Sequence, residues 1–237
     1  MIPKTVFIIP YRDREEHYKI FSEHMKSYKP YNSEIYYIHQ TDDRPFNRGA
    51  MKNIGFLVIK EKYPSDYRSI TLVFNDIDSM LPKKVNYETT FGKIKHFYGF
   101  NQTLGGIVSI KMGDFEKING FPNLWSWGYE DNSFYLRAKK YNLSIDRSIF
   151  YEINDRRFIR LKEGNTRVIN RDDFNMFKRD IEGLMNIHNL SYNIDDSNFV
   201  NIKSFNTGRE PNYNNFKIHD LRNGNNVFQN IMKMSFL

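Results

Sequence analysis

Ile70-Thr71-Leu72-Val73-Phe74-Asn75-Asp76-Ile77-Asp78 is the stretch whose reading decides the fold. Residues 70–74 form a continuous apolar run, the pattern of a strand buried on both faces and therefore inside a sheet covered by helices. The run passes directly into Asn75, Asp76 and Asp78. Open α/β sheets bind ligands at the carboxyl ends of such strands. Alternate side chains of an extended chain share a face, so Asp76 and Asp78 are expected to point the same way. Two carboxylates there suit a hard divalent cation that bridges to phosphate oxygens. The competing reading is a solvated turn, because Asp and Asn favour strand-to-loop transitions.

Working outward, residues 5–10 read as a strand closed by proline, residues 14–28 as a helix carrying Ile20, Phe21 and Met25, and residues 34–38 as a second strand. Asn47 is placed to cap a helix with Met51, Ile54 and Val58 on one face, stopping before Pro64. On the other side, Gly105-Gly106 precede a strand at 107–110, and a helix from about residue 113 ends at Gly120. Asp131, Asn132 and Ser133 are each candidates to cap a helix running to about Tyr141. The alternation predicts an α/β fold with a mostly parallel central sheet flanked by helices. Beyond about residue 165 the apolar pattern weakens. A helix at 180–187, loop at 206–226 and a closing helix at 227–237 are expected. The whole reads as one domain over 1–237, with a core at about 4–163 and an extension at about 164–237 that can serve as a lid.

Of the 237 residues, 40% are hydrophobic and 16% aromatic, enough for a sizeable core. The absence of cysteine excludes disulfides, thiolate metal sites and a cysteine nucleophile. No apolar run approaches the ~20 residues that span a bilayer, and the opening residues read as a strand rather than a signal peptide. A soluble, cytoplasmic protein is expected. The net charge of +7 comes from 35 basic and 28 acidic residues spread along the chain. This argues against a nucleic-acid arm and suits an acidic partner such as a nucleotide diphosphate.

Three further constellations carry chemistry. Pro10-Tyr11-Arg12-Asp13-Arg14 puts two arginines at the end of the first strand, where they can clamp a pyrophosphate or serve as ordinary first-turn residues. Phe46-Asn47-Arg48 sets an aromatic beside an arginine, as a nucleotide contact or as a staple, a cap and a solvent-facing charge. Trp125 and Trp127, the only tryptophans, stand beside Gly128, Glu130 and Asp131. Aromatic platforms with carboxylates suit sugars, which offer apolar C–H faces and hydroxyl edges, and a carboxylate can take a sugar hydroxyl's proton. The alternative is core tryptophans and a helix cap.

In order, these pieces resemble the β-1,4-galactosyltransferase family. Pro10 to Arg14 is similar to its Pro-Phe-Arg-x-Arg, and Phe46 to Phe56 to its Phe-Asn-Arg-Ala-x-x-x-Asn-x-Gly-Phe. Asp76-Ile77-Asp78 is similar to its Asp-Val-Asp, and Thr103-Leu104-Gly105-Gly106-Ile107 to its Tyr-Phe-Gly-Gly-Val. Ile118 to Asn132 nearly matches its Ile-Asn-Gly-Phe-Pro-Asn…Trp-Gly-Trp-Gly-Gly-Glu-Asp-Asp. The resemblance implies a GT-A fold and an inverting transfer of a hexose or N-acetylhexosamine from a UDP-sugar to a saccharide. It implies that Pro10, Tyr11, Arg12, Arg14, Phe46, Asn47, Arg48, Asp76, Ile77, Asp78, Thr103, Gly105 and Gly106 form the donor site. Trp127 would lie against donor and acceptor, and Tyr129, Glu130 and Asp131 would meet the acceptor, with Asp131 as general base. Asp78, with Asp76 as an alternative, would hold Mn2+.

Three departures stand out. The family's metal-ligating histidine falls at Leu161, so that the neighbouring basic residues Arg156, Arg157, Arg160 and Lys162 are candidates to meet the diphosphate instead. Thr103 replaces a tyrosine beside the donor sugar, leaving room for an N-acetyl group. Tyr129 replaces a glycine, which reshapes the acceptor pocket. A catalytically silent carbohydrate- or nucleotide-binding module is the alternative to an enzyme; nucleic-acid binding ranks last.

Overall fold

The computed structural model describes residues 1–180 and 182–223. β1 (Thr5–Tyr11), α1 (Glu15–Tyr28), β2 (Ser33–Gln40), α2 (Arg48–Lys62) and β3 (Thr71–Asn75) alternate as the sequence predicts. They are followed by the two-residue β4 (Ser79–Met80), β5 (Lys93–Gly99), β6 (Ile107–Lys111), α3 (Met112–Lys117) and α4 (Glu130–Lys140). Short strands β7 (Ser144–Asp146), β8 (Tyr151–Glu152) and β9 (Ile159–Arg160) lead to β10 (Thr166–Asn170) and α5 (Arg171–Arg179). The last elements are β11 (His188–Ile194), β12 (Phe199–Asn206) and β13 (Phe216–Asp220).

The central sheet has the order β11-β12-β2-β1-β3-β6-β5-β7, with β8 also pairing with β5. The pairs β12–β2, β2–β1, β1–β3, β5–β7 and β5–β8 are parallel, so the sheet is mostly parallel; β6 runs against both neighbours. Every residue of β1 and β3 is buried, as the unbroken apolar run demands. Alternation then divides them between two cores. Val6, Ile8, Leu72 and Phe74 pack with Ile54 and Phe56 of α2, while Phe7, Ile9 and Val73 pack with Phe21 and Met25 of α1. The β1–β3 ladder stops at Ile8, two residues before Pro10, which has no N–H to give.

Several expectations are corrected. The helix placed at 180–187 lies earlier, as α5. The Asn170 side chain caps it by accepting the Asp172 N–H, and Asp180 ends it in the left-handed region at φ 50°. Residues 184–186 form only a 3-10 turn. The loop expected at 206–226 contains β13, which pairs with β10. Residues 188–206, read as part of an extension, supply β11 and β12, and β12 joins β2 with Phe199 opposite Tyr37. The closing helix placed at 227–237 lies outside the described residues. Among the described residues, no helix is long and apolar enough to cross a membrane.

Candidate active site

Two buried amides of α2 build the floor. Asn47 caps the helix by accepting the Ala50 N–H (2.9 Å) and donates to the Asn123 carbonyl (3.1 Å). Asn53 donates to the Phe121 carbonyl (2.7 Å) and to Asn123 Oδ1 (2.8 Å), and accepts the Phe121 N–H (2.9 Å). Buried polar groups need such partners, so residues 121–123 are clamped in one position. Gly120 turns the chain there at φ 58°, and a Cβ would fall 2.3 Å from Asn53 Oδ1. The Trp125 to Asp131 loop is thereby delivered over the start of α2.

Arg48 and Lys52, one helical turn apart, meet the acids that arrive. Arg48 grips Asp76 with two bonds (Nε–Oδ1 3.2 Å, Nη2–Oδ2 2.5 Å) and donates to Glu130 Oε1 at 2.7 Å. Its Nη2 also lies 3.5 Å from Asp131 Oδ2. Lys52 is 2% exposed; its Nζ donates to Asp131 Oδ1 at 2.9 Å and rides 4.1 Å above the centre of the Phe121 ring. Burial alone would raise the Asp131 pKa, but the Lys52 ammonium and the Arg48 guanidinium outweigh it and hold the carboxyl below its ordinary range. Burial, and then the charge of Asp131, push Glu130 the other way. Neighbouring acids driven apart in this manner can divide acid and base roles between them. Lys52 is absent from the residues chosen by sequence. The signal for it was its i,i+4 spacing from Arg48, which puts both cations on one helix face.

The opposite wall is backbone. Leu104 N–H donates to the Asp131 carbonyl (3.1 Å), and a Cβ on Gly105 would stand 2.1 Å from Asp131 Oδ2. Gly105 is therefore bare because the carboxylate lies against it. Behind it, His96 Nδ1 accepts from Arg147 Nε (3.0 Å), which leaves the proton on Nε2, facing the carbonyls of Tyr98 (2.9 Å) and Gly105 (3.1 Å). Burial and then the Arg147 charge lower the His96 pKa to about 4. Gly106 follows at φ 70°, and Thr103 is buried in the preceding turn.

The tryptophans divide. Trp125 is fully buried, stacks on Phe205 and donates from Nε1 to the Arg209 carbonyl. Trp127 is 40% exposed, with its backbone N–H bonded to the Val168 carbonyl and Arg167 over its ring. Tyr129 sits immediately before α4 in the left-handed region (φ 70°), its ring against Phe174 and Phe177 of α5. None of Asp131, Asn132 and Ser133 caps α4. The helix already begins at Glu130, and the capping residue is Tyr129, without a side-chain bond.

The first-strand residues make contacts of their own within the fold. Pro10 and Tyr11 are buried in β1. Arg12 spends Nε, Nη1 and Nη2 on the carbonyls of Gln40, Arg44 and Asp42, shaping the loop that carries Phe46, over whose ring it lies. Arg14 is more open and only 3.5 Å from Glu163. Ile77 is buried in the core on the α1 side.

The extended-chain premise for Asp76 and Asp78 does not hold, although the two carboxylates remain close enough that, after burial, the Asp78 charge also raises the Asp76 pKa. Ser79 N–H bonds the Asp76 carbonyl (3.0 Å), so residues 76–79 form a turn and extended-chain alternation does not apply. Asp76 goes to Arg48. Asp78 is 6% exposed, accepts from Ser79 Oγ (2.8 Å) on Oδ1, and faces Arg160 Nε (3.5 Å) with Oδ2. The β4–β9 pairing sets Ser79 opposite Arg160, and Leu161 N–H donates to the Asp78 carbonyl (2.8 Å). The residue beside Asp78, at the position of the metal-ligating histidine that the resemblance implies, is thus leucine. Among the described residues no three His, Cys, Asp or Glu side chains come together to hold a metal ion, so the donor set does not fit manganese.

Residues 2–89 match the family described as the N-terminal region of glycosyl transferase group 7, and residues 86–161 the one described as the N-terminal domain of galactosyltransferase. The Caenorhabditis elegans xylosylprotein 4-beta-galactosyltransferase is 35% identical over 161 residues, 61% of this chain and 53% of that protein. The Mus musculus beta-1,4-galactosyltransferase 1 is 32% identical over 158 residues, 61% of this chain and 39% of that protein. The chain spans about half or less of the length of these curated relatives. Among solved structures, the catalytic domain of Drosophila beta-1,4-galactosyltransferase 7 in complex with xylobiose aligns with a TM-score of 0.65 at 24% identity, covering 85% of this chain and 94% of that one. A mutant of the same enzyme in complex with manganese, UDP-Gal and xylobiose aligns at 0.62 and 22% identity, with the same coverage. The likeness to these structures is one of GT-A fold.

Proposed function

The chain belongs to the β-1,4-galactosyltransferase family, and from that premise we propose that it is an inverting glycosyltransferase that moves a hexose or N-acetylhexosamine from a UDP-sugar to a saccharide hydroxyl. The observation that carries the reading is Asp131, a carboxylate kept ionised by Lys52 and Arg48 beside the more easily protonated Glu130. A general base must be charged at working pH and reach the proton it removes. Lys52 occupies Oδ1, while Oδ2 lies against the bare backbone of Gly105 and meets only the longer 3.5 Å approach of Arg48 Nη2. In the proposed step Asp131 takes the acceptor hydroxyl's proton. The oxygen bonds to the anomeric carbon, the bond from that carbon to the β-phosphate oxygen breaks, and UDP departs with the electron pair. A single displacement inverts the anomeric centre.

Exposed Trp127 offers the sugar platform, Glu130 a hydroxyl partner, and Tyr129 the adjoining edge of the acceptor pocket. The UDP-Gal and xylobiose held by the solved relative support a UDP-sugar donor and a saccharide acceptor. The manganese in that complex has no matching ligand set among the described residues: Asp78 faces a guanidinium, Asp76 is gripped by Arg48, and Leu161 brings no donor. UDP release measured across UDP-sugars and saccharide acceptors, for the parent and Asp131→Asn, tests the proposal. Acceptor-dependent release lost in the variant is the expected result. UDP binding without turnover on any acceptor would instead favour a silent binding module.

A further inference from the structure

We propose that Arg160 and the Tyr98 hydroxyl do the work of a divalent cation at Asp78, holding the diphosphate so that the nucleotide binds without metal. The inference rests on the UDP-sugar reading above. Its basis is the disagreement between the manganese-bound relative and the side chains that surround Asp78 in this chain.

Three observations converge. First, Arg160 is fixed by backbone: β9 pairs with β4 and sets it opposite Ser79, at the carboxyl end of β3. Among the described residues its side chain makes one hydrogen bond of normal geometry, from Nε to Asp78 Oδ2 at 3.5 Å, the outer limit for such a contact. Both terminal nitrogens are left without a carboxylate among the described residues, and the side chain is 42% exposed. Asp78 thus orients the guanidinium and does not consume it. A planar fork with free N–H groups matches two phosphate oxygens.

Second, the Tyr98 hydroxyl is buried and, among the described residues, has no hydrogen-bond partner of normal geometry; the Arg160 side chain reaches it only as a loose contact. Its ring is stacked 3.6 Å from Phe158, two residues before Arg160, and Arg160 and Asp78 are its foremost charged neighbours. Buried hydroxyls are normally satisfied, and an orphan beside an unsaturated guanidinium marks where a ligand oxygen would sit. Third, Leu161 fills the position next to Asp78, and its N–H is spent on the Asp78 carbonyl. It can contribute no ligand atom from its side chain. A cation introduced at Asp78 would also have to displace Arg160. The two nearby positive charges compete for one carboxylate, so arginine and metal are alternatives there.

The test is calorimetric titration of the full chain with UDP, in EDTA and in excess Mn2+, for the parent, Arg160→Gln, Arg160→Lys and Tyr98→Phe. The expected result is UDP binding in EDTA that Mn2+ tightens by less than about threefold. In EDTA, Arg160→Gln should bind at least about tenfold more weakly and Tyr98→Phe about three- to tenfold more weakly, the scale of a charge-assisted and a neutral hydrogen bond. Arg160→Lys, which keeps the charge without the fork, should fall between parent and Arg160→Gln. Thermal melting of each variant establishes folding, and Tyr98→Phe stands as the second probe if Arg160→Gln misfolds. Electron paramagnetic resonance of Mn2+ with protein and UDP should match Mn2+ with UDP alone. UDP binding that requires Mn2+ overturns the inference and leaves the donor reading standing, as does parent-like affinity in both Arg160→Gln and Tyr98→Phe. Failure to bind UDP under either condition overturns both.

Discussion

Replacing Lys52 with methionine removes one charge from the buried pair at Asp131 and keeps most of the stem that covers Phe121. At 2.9 Å and an effective dielectric of about 20, the lost attraction is about 6 kcal/mol before desolvation is counted. Removing one partner of a buried pair costs about 3–5 kcal/mol. Arg48, 3.5 Å away, still faces the carboxylate and puts the expected loss near the lower end, about 3 kcal/mol at neutral pH. The sign with pH follows from the lowered Asp131 pKa. A depressed carboxyl contributes stability above its unfolded pKa, and the contribution is lost as pH falls through the folded value. The gap between parent and Lys52→Met should therefore close on acidification below about pH 4. Without the ammonium the Asp131 pKa rises, so the acid limb of kcat/KM should move to higher pH. Urea unfolding at neutral and acid pH, with the pH–rate profile, measures both. A stability loss independent of pH, with the acid limb unmoved, would refute the role assigned to Lys52.

Other outcomes follow from single contacts. Gly105→Ala places a methyl where Asp131 Oδ2 lies, 2.1 Å away, and displacing a base by about 1 Å costs on the order of 10²-fold in kcat, checked by steady-state kinetics. His96 titrates at about 4 when folded against an ordinary 6.5, so the unfolded chain takes up the extra proton and stability falls as pH drops from about 6.5 to about 4. The loss is about 3 kcal/mol, and His96→Gln should flatten that part of the urea-midpoint curve. The small Thr103 predicts that UDP-N-acetylhexosamine is used at least as well as UDP-galactose; a clear preference for UDP-galactose in competitive donor hydrolysis would sink that reading.

The sheet was legible where local pattern and burial agree. The apolar run into β3 and the Asn47 cap before α2 are local signals, and both stand in the structure. The strands β11 and β12 were not legible, because HNLSYNI and FVNIKSFN carry polar residues that are tolerated near the sheet edge. The acidic pair after β3 was visible, yet its geometry was misjudged. A turn, set by one hydrogen bond, replaces the extended chain and hands each carboxylate to a different arginine. Lys52 was hidden for another reason: its partner is 79 positions away, and only the clamp of Asn47 and Asn53 on residues 121–123 brings them together. Trp125 and Trp127 had competing core and surface readings in the sequence. Burial and stacking on Phe205 make Trp125 a core residue, and the 40% exposure of Trp127, tied by its backbone N–H to Val168, leaves its ring at the surface.

The most direct measurement compares the parent with Asp131→Asn by nuclear magnetic resonance, following the anomeric protons of an α-linked UDP-sugar and of the product on a saccharide acceptor. The geometry predicts a β-linked product from the parent, and a loss of about 10²–10⁴-fold in Asp131→Asn, the usual contribution of a general base, with UDP affinity within a few-fold of the parent. An α-linked product, or an Asp131→Asn variant that transfers sugar at the parental rate, would contradict it.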